Sequence, residues 1–590
     1  MKPGLYGLAS LDGSPLRPED ADALGLLEGA DRRQAPGVMV RAFDSGTALP
    51  SLHFHATPES LVAFAGYLDE PEELAGWLGV SATRSPAELA AMALERFGAE
   101  AAQRMVGEWS LLRWSVEARE LTLLTSENIR DSLYWATNGR HVAVAAEPLR
   151  LGRLSWNALA LNVEGFALSV GRAATRQLMG DGTPWKGIFR VQSASAEIFA
   201  EEGRKTILPA PERAVEPWRG DFEEAIEALN TLGRRIVGQS LRRYHRSGFL
   251  LSGGLDSTLL TALGSQERAE AAGGVFCLTS VAPEGSGLED ESAFSKAVAE
   301  QLGLPVRKVW PSQDADAYRP TPESFAYRAD PVAGLRHYLY DALWSAARAE
   351  GADAVFDGVL GEMSLTEKRP AGSDADWLRR KVYAVRAWRL ERVRLRSWPE
   401  QGFHARLAPQ VLHALPTEWK GTWRAGAPER PKLRPSDLRG FHPGLEKNSG
   451  VESSATHGVR RIMPYRDRRL ARFAAGLPYG FGAKDGQSRA MARAMLRGRV
   501  PENVRLRPRG LPFSPTYVGL IREQAGAAKR RVDVFYDAGV DRWLDLEWLK
   551  GALDRLGAGA SPYASEQAQA QTTAVTAEFL VWARTMGVKL

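Results

Sequence analysis

Residues 249–263 read Phe249-Leu250-Leu251-Ser252-Gly253-Gly254-Leu255-Asp256-Ser257-Thr258-Leu259-Leu260-Thr261-Ala262-Leu263. The apolar run predicts a buried strand, the glycine pair a tight turn, and the second apolar run a helix. A strand feeding a helix in this way leaves backbone N–H groups unpaired at the helix start, where the dipole also favours negative charge. Two glycines let the backbone approach an anion closely. Ser252 and Ser257 add hydroxyl donors, and Asp256 supplies a hard oxygen ligand for Mg²⁺. The stretch therefore reads as a seat for pyrophosphate and its metal. A Gly-Gly pair alone would mean only a strand-to-helix turn, but the full Ser-Gly-Gly-Leu-Asp-Ser string is more restrictive and lacks the lysine of a Walker A loop.

That string resembles the pyrophosphate loop of the ATP pyrophosphatases, which cleave ATP between its α and β phosphates to adenylate a substrate. The resemblance implies ATP and Mg²⁺ as cofactors. It also implies Leu251, Ser252, Gly253, Gly254, Leu255, Asp256 and Ser257 as nucleotide- and pyrophosphate-binding residues, with Asp256 on the metal.

At 590 residues, 44% hydrophobic and 25% charged, the chain has the composition of a globular protein. Its length predicts roughly three to four structural units, or a large two-domain enzyme. No basic-then-apolar segment opens the sequence and no apolar run reaches ~18 residues, so a soluble, unexported, cytoplasmic protein is expected, with no membrane partner. The single cysteine, Cys277, excludes an internal disulfide or a cysteine-based zinc site, and its apolar setting predicts a buried structural thiol. A net charge of +5 is mild for this length and does not imply a nucleic acid partner.

Residues 4–150 read as short apolar strands between Gly, Asp and Pro turns, with a helix over Pro86–Phe97. Phe64-Ala65-Gly66-Tyr67-Leu68, Arg104-Met105-Val106-Gly107-Glu108-Trp109-Ser110-Leu111, Leu121 to Leu133 and Val142-Ala143-Val144-Ala145-Ala146-Glu147 resemble, in order, the glutaminase-type domain of asparagine synthetases. Glutaminases of that kind use a cysteine at the mature amino terminus, as thiolate nucleophile and α-amino base in one residue. This sequence starts Met1-Lys2-Pro3-Gly4, so the ammonia-releasing chemistry is expected to be absent. Residues 1–205 are read as an inactive, layered α+β scaffold. Residues 206–220, with three prolines between 209 and 217, are read as a linker, and residues 221–590 as an adenylating domain.

In the second half, helical spacing runs from Phe222 to His245, and a further strand is predicted over Val275–Val281. A helix follows over Asp290–Leu302, a strand at Pro305–Val309, a helix over Leu335–Glu350 and a strand at Ala354–Phe356. Alternating strands and helices predict a doubly wound parallel sheet with its ligand at the carboxyl ends of the strands, gathering Ser252–Ser257, Ser280 and the 357–362 turn. Asp357-Gly358-Val359-Leu360-Gly361-Glu362 resembles the asparagine-synthetase turn that closes over the nucleotide. The resemblance places Asp357 and Gly358 on ATP and Glu362 on the metal. Val359 stands where asparagine synthetases carry Glu and β-lactam synthetases carry Tyr, and an alkyl side chain cannot remove a proton.

Residues 377–398 hold eight basic residues, Arg379, Arg380, Lys381, Arg386, Arg389, Arg392, Arg394 and Arg396, against Glu391. They read either as a solvated helix face or as a positive wall for an acidic peptide. Residues 409–458 read as a long loop, most loop-like from Glu446 to His457. Arg460 to Leu470 resembles a structural Arg-x-Pro-x-x-Asp segment of the synthetase domain. Arg489 matches a lysine that holds pyrophosphate, and Arg509 one that stabilises the reacting centre. Arginine keeps the charge and forks onto phosphate, but it cannot accept a proton at neutral pH.

Taken together, the chain resembles the asparagine-synthetase superfamily. Among its members it is most like the lasso peptide cyclases, with the β-lactam synthetases as nearest relatives. A lasso cyclase adenylates an Asp or Glu side chain of a precursor peptide and lets the peptide's own amino terminus form the macrolactam. The resemblance implies a precursor peptide as substrate and a leader peptidase of the same pathway as a further partner. A β-lactam synthetase-like enzyme and an ammonia-dependent asparagine synthetase are the alternatives.

Overall fold

A computed structural model describes residues 2–29, 31–43, 51–128, 132–171, 179–207, 216–283, 286–311, 314–328, 330–331, 335–361, 403–416, 451–484, 486–508, 514, 516–560 and 564–590. Glu362, Arg509, the basic segment 377–398 and most of the 409–458 stretch lie outside these residues.

The first part of the chain builds two six-stranded antiparallel sheets. In chain order the strands are β1 (Gly4–Ser10), β2 (Arg32–Ala35), β3 (Val38–Phe43), β4 (Leu52–Ala56), β5 (Ser60–Leu68) and β6 (Gly107–Ser115). β7 (Glu120–Thr125), β8 (Tyr134–Thr137), β9 (His141–Ala145), β10 (Phe189–Arg190), β11 (Ala196–Ala200) and β12 (Gly203–Ile207) follow. The sheets run β10-β8-β9-β1-β3-β2 and β12-β11-β7-β6-β5-β4. Alternation along β5 separates their faces: Leu61, Ala63 and Ala65 point into the layer between the sheets with Leu112, Trp114 and Val142, whereas Val62 and Phe64 pack outward. That outward face is covered by α1 (Pro86–Phe97), whose Ser85 side chain caps the Glu88 N–H. The helix has the bounds read from sequence. β12 extends to Ile207, two residues into the stretch read as linker.

The second part is a five-stranded sheet, every pairing parallel. Its strands are β13 (Ser247–Leu250), β14 (Val275–Ser280), β15 (Val306–Val309), β16 (Ala354–Phe356) and β17 (Arg460–Ile462), in the order β15-β14-β13-β16-β17. Successive residues of β13 and β14 face opposite ways. Phe249, Leu251 and Cys277 pack with α2 (Phe222–Leu241) and α3 (Leu255–Gln266), while Leu250, Phe276 and Leu278 pack with α5 (His337–Ala349). Between them in sequence lies α4 (Ser292–Leu302). The fold is thus the doubly wound α/β arrangement expected from sequence, with the antiparallel layered domain before it. The outer face of the first sheet, at Tyr6, Leu8 and Ala143, joins one core with α5 and with helices formed from residues 546–557 and 564–585.

Three expectations need correction. α2 stops at Leu241 rather than running to His245. α4 starts at Ser292, because the Asp290 carboxylate takes the N–H groups of Ser292 and Ala282 and holds the chain outside the helix. The stretch read as a loop from 409 to 458 is helical where it is described at both ends, over Pro409–Ala414 and Val451–Thr456.

Candidate active site

The chain goes from β13 to β14 and β15 on one side, then returns to place β16 on the other side of β13. In open α/β sheets the ligand crevice forms at such a switch point, beyond the carboxyl ends of the two strands. Here those ends are Leu251–Ser257 and Asp357–Gly361, and Phe249 stacks on Phe356 between them, ring centroids 4.7 Å apart.

The Ser252–Ser257 turn is built from within. The Ser252 N–H donates to Ser257 Oγ at 3.1 Å, and Ser257 Oγ donates to the Gly254 carbonyl at 3.1 Å. The Ser257 hydroxyl thus donates within the turn itself. Gly253 has φ +73°, and a Cβ there would sit 2.7 Å from Phe294 Cβ, so only glycine makes this bend. Leu251 gives its N–H to Leu278 O at 2.8 Å and receives Ser295 Oγ on its carbonyl at 3.0 Å. It anchors the loop and offers the crevice no backbone donor. Among the described residues no acceptor meets the N–H groups of Gly253, Leu255 or Ser257, and these face the start of α3 as anion donors. Ser280 ends β14 on the same edge.

Three segments converge on Asp256. From β16, Gly361 comes so close that a Cβ would lie 2.7 Å from Asp256 Oδ1, and one at Gly358 would lie 3.0 Å from the Ser257 backbone. Leu360 between them is left-handed, φ +73°. From the far side, Arg489 Nη1 meets Asp256 Oδ2 at 3.3 Å. Arg489 is also left-handed, φ +59°, at the start of α7 (Ala490–Met495), which follows α6 (Arg468–Gly476) in the chain. Two strained non-glycine residues flanking one carboxylate mark a place where geometry is held against local preference. From beneath, the Tyr465 hydroxyl donates to the Asp256 carbonyl at 2.8 Å.

Asp357 is engaged elsewhere. Its Oδ2 takes Arg461 Nε at 2.9 Å and Nη2 at 2.6 Å, and its Oδ1 takes the Val359 N–H at 3.1 Å. Arg461 is fully buried, so this pair is a structural clamp that aligns β16 with β17 and shapes the turn carrying Gly358. It does not present a free carboxylate to ATP. Arg507 pairs with Glu291 at 2.8 Å and lies over the Phe294 ring, and Arg493 holds the Arg505 and Arg507 carbonyls. These contacts fix the chain at residues 505–507. Sequence reasoning missed Gly361, Tyr465, Ser295 and Arg461 as site-building residues. Of these only Gly361 carried a signal, standing within the glycine-rich turn beside Gly358.

The 460–469 segment also joins the two domains. Arg460 pairs with Glu108 and Arg468 with Glu127, and Arg469 reaches Glu70 at 2.7 Å and Asp69 at 3.2 Å. The same segment supplies Tyr465, so the first domain is fastened to the chain that supports Asp256.

A family model described as asparagine synthase matches residues 229–584. The chain belongs to the asparagine synthase family. Ligases of that family form amides with ATP and Mg²⁺. No curated protein matches the chain. Among solved structures it is similar to an allosteric regulatory enzyme of purine biosynthesis, at 13% identity and TM-score 0.23, covering 54% of this chain and 63% of that one. It is also similar to glutamine phosphoribosylpyrophosphate amidotransferase from B. subtilis complexed with ADP and GMP, at 14% identity and TM-score 0.23, covering 63% of this chain and 77% of that one. The chain thus spans under two thirds of the first of these, and at such scores neither carries an inference.

The donor set fits Mg²⁺ held with nucleotide phosphates. That ion takes one or two carboxylates and leaves its other positions to phosphate and water, and Asp256 offers one carboxylate beside N–H groups that meet no acceptor among the described residues. Among the described residues no group of three or more His, Cys, Asp or Glu side chains forms a closed metal cage, and none is needed for this mode. Among the described residues no helix is long and apolar enough to cross a membrane.

Proposed function

We propose that this protein is a lasso peptide cyclase: it adenylates an Asp or Glu side chain of a precursor peptide and joins it to the peptide's amino terminus, releasing AMP and pyrophosphate. The observation that carries the reading is the convergence of Asp256, Arg489 and the Gly358–Gly361 turn on a helix start whose Gly253, Leu255 and Ser257 N–H groups meet no acceptor among the described residues. Asp256, with Glu362 as its expected second carboxylate, would hold Mg²⁺, which when bound neutralises phosphate charge. The Gly253, Leu255 and Ser257 N–H groups face the departing pyrophosphate. Arg489 pairs with Asp256 and can turn its guanidinium onto the phosphates. Arg509 is proposed to stabilise the charge that develops as the amine attacks.

Three features favour an amine already present in the substrate over ammonia from glutamine. The first domain has no cysteine, the chain's single one being Cys277 in β14. Burial pushes the Cys277 thiol up to about 12, far from a thiolate nucleophile. The cavity beside β1, lined by Pro3, Gly4, Gly66, Glu108, Ser110 and Arg460 among others, has no thiol in its lining. Val359 offers no base, and a peptide α-amine with a pKa near 7.7–8.0 needs none of great strength. Positioning that amine is then the main task, with effective molarity worth ~7–11 kcal/mol.

The test is to incubate the pure protein, ATP and Mg²⁺ with precursor peptides and follow AMP together with peptide mass. Peptide-dependent AMP and a product lighter by one water support the reading. AMP formation only with a small amino acid derivative supports the β-lactam synthetase-like alternative, and aspartate plus ammonium giving asparagine supports the synthetase alternative. A leader peptidase enters the proposal as the partner that frees the amino terminus.

A further inference from the structure

We infer that Arg336 is the residue that receives the substrate carboxylate before it is activated, an assignment that rests on the amide-forming reading and gives it a place in the fold. Arg336 immediately precedes α5, which crosses from β15 back to β16. A crossover helix runs antiparallel to the strands it joins, so its first residues lie at the same end of the sheet as the Ser252–Ser257 turn and Asp357.

One turn into the helix, the Tyr340 ring lies under the Arg461 guanidinium, 5.5 Å to the centroid, and Arg461 is the partner of Asp357. Residues four apart share a helix face. Arg336 is therefore stacked one turn beyond Tyr340, outward past the strand ends. Electrostatics place it similarly: burial, and then Asp357, push the Tyr340 hydroxyl up to about 12, while Arg461 and Arg336 act against them.

The opposite wall comes from the chain that follows residue 509. The Arg336 guanidinium lies over the Tyr517 ring, 4.9 Å to the centroid, and the Tyr338 hydroxyl meets Ser514 Oγ at 3.2 Å. The Tyr517 hydroxyl donates to Gln571 Oε1 at 2.7 Å, and the Gln571 amide is fixed on the Ala317 and Leu335 carbonyls. The ring under Arg336 is thus held still by a buried network, a platform that orients the guanidinium.

Charge decides what the platform is for. Arg461, Arg489, Arg507 and Arg531 each pair with a carboxylate. Arg336 is half-buried, its Nε is shut off from solvent, and among the described residues no carboxylate or hydrogen-bond acceptor meets it. A guanidinium stays charged at any working pH. An oriented and unpaired one presents a planar fork that matches a carboxylate. The phosphate donors cluster instead around Asp256, between β13 and β16, leaving Arg336 to the substrate's side of Asp357.

The experiment uses the full chain with Mg²⁺ and α,β-methylene ATP, so that no turnover intervenes. N-acetyl-glutamate α-methylamide and N-acetyl-glutamine α-methylamide are titrated and followed by ligand NMR. The wild type should bind the acid at least about tenfold more tightly than the amide, and Arg336→Gln should weaken the acid by ~10–100-fold, the range for a hydrogen bond to a charged group. Arg336→Gln should leave the amide and the nucleotide analogue unaffected, and Arg336→Lys should recover part of the acid affinity. The inference is overturned if the wild type does not prefer the acid, if Arg336→Gln keeps that preference, or if Arg336→Gln loses the nucleotide analogue instead. Failure of the amide-forming reading appears separately, as a wild type that makes no AMP while this binding contrast remains.

Discussion

Two regions of the molecule use the same device to different ends. In the first domain Gly66, at φ +136°, lies against the Glu108 carbonyl and the Trp109 backbone, letting β5 and β6 close tightly beside a cavity of about 30 Å³. At the sheet switch point Gly361 lies against Asp256, but what it touches is a carboxylate oxygen. In both places a missing Cβ permits close approach. In one the approach fills space, and in the other it positions a charged ligand at a helix start. The difference separates scaffold from chemistry, and substitutions can probe it.

The largest effect is expected at the charge itself. Asp256→Asn should lower AMP formation by more than ~10³-fold, as losing several kcal/mol of metal-dependent charge stabilisation implies, with an unchanged thermal midpoint. AMP formation near the wild-type rate would take Asp256 out of the site. Next is the clamp behind it. Arg461→Met strands Asp357 in a buried position and should cost about 3–5 kcal/mol in denaturant unfolding, much of it regained in Arg461→Met/Asp357→Leu. Equal losses in the single and double variants would contradict a coupled pair.

The two glycines then give opposite readouts. Gly361→Ala should displace the Asp256 carboxylate and lower AMP formation by ~10²-fold while unfolding stays near normal. Gly66→Ala should cost about 1–3 kcal/mol or more of stability, because its backbone conformation is hostile to a side chain, with the folded fraction retaining its specific activity. If both variants lost activity in proportion to stability, the distinction drawn here would fail. The smallest effect, none, is expected for alkylation: with the Cys277 thiol buried and pushed up to about 12, iodoacetamide should leave activity unchanged at neutral pH, and rapid inactivation would show a thiol in use.

Much of this could be read from the sequence, and what could not has a common cause. The helix at Pro86–Phe97 announces both its ends, with a capping serine, a first-turn proline and a terminal glycine. The strand–turn–helix at 247–266 was equally plain, since the requirement for glycine at 253 is local. The resemblance of its turn sets Asp357 beside the nucleotide and says nothing of what its carboxylate meets. Its partner Arg461 lies on another strand and meets it only because the parallel register sets Phe356 opposite Ile462. Tyr465, Ser295 and Arg336 likewise take their roles from segments far away in sequence. The helices from Tyr517 onward carried no expectation at all. Their contribution, the Tyr517 ring fixed by Gln571, emerges only when residues 54 apart are brought together.

The central claim is that this crevice transfers adenylate to a carboxylate. If the carboxylate attacks the α-phosphorus and an amine later displaces AMP, one carboxylate oxygen leaves with the AMP. A peptide labelled with ¹⁸O in its acidic side chain should therefore yield AMP carrying one labelled oxygen, with pyrophosphate unlabelled. Label recovered in inorganic phosphate alongside ADP, or product formed with no label in AMP, would contradict the account.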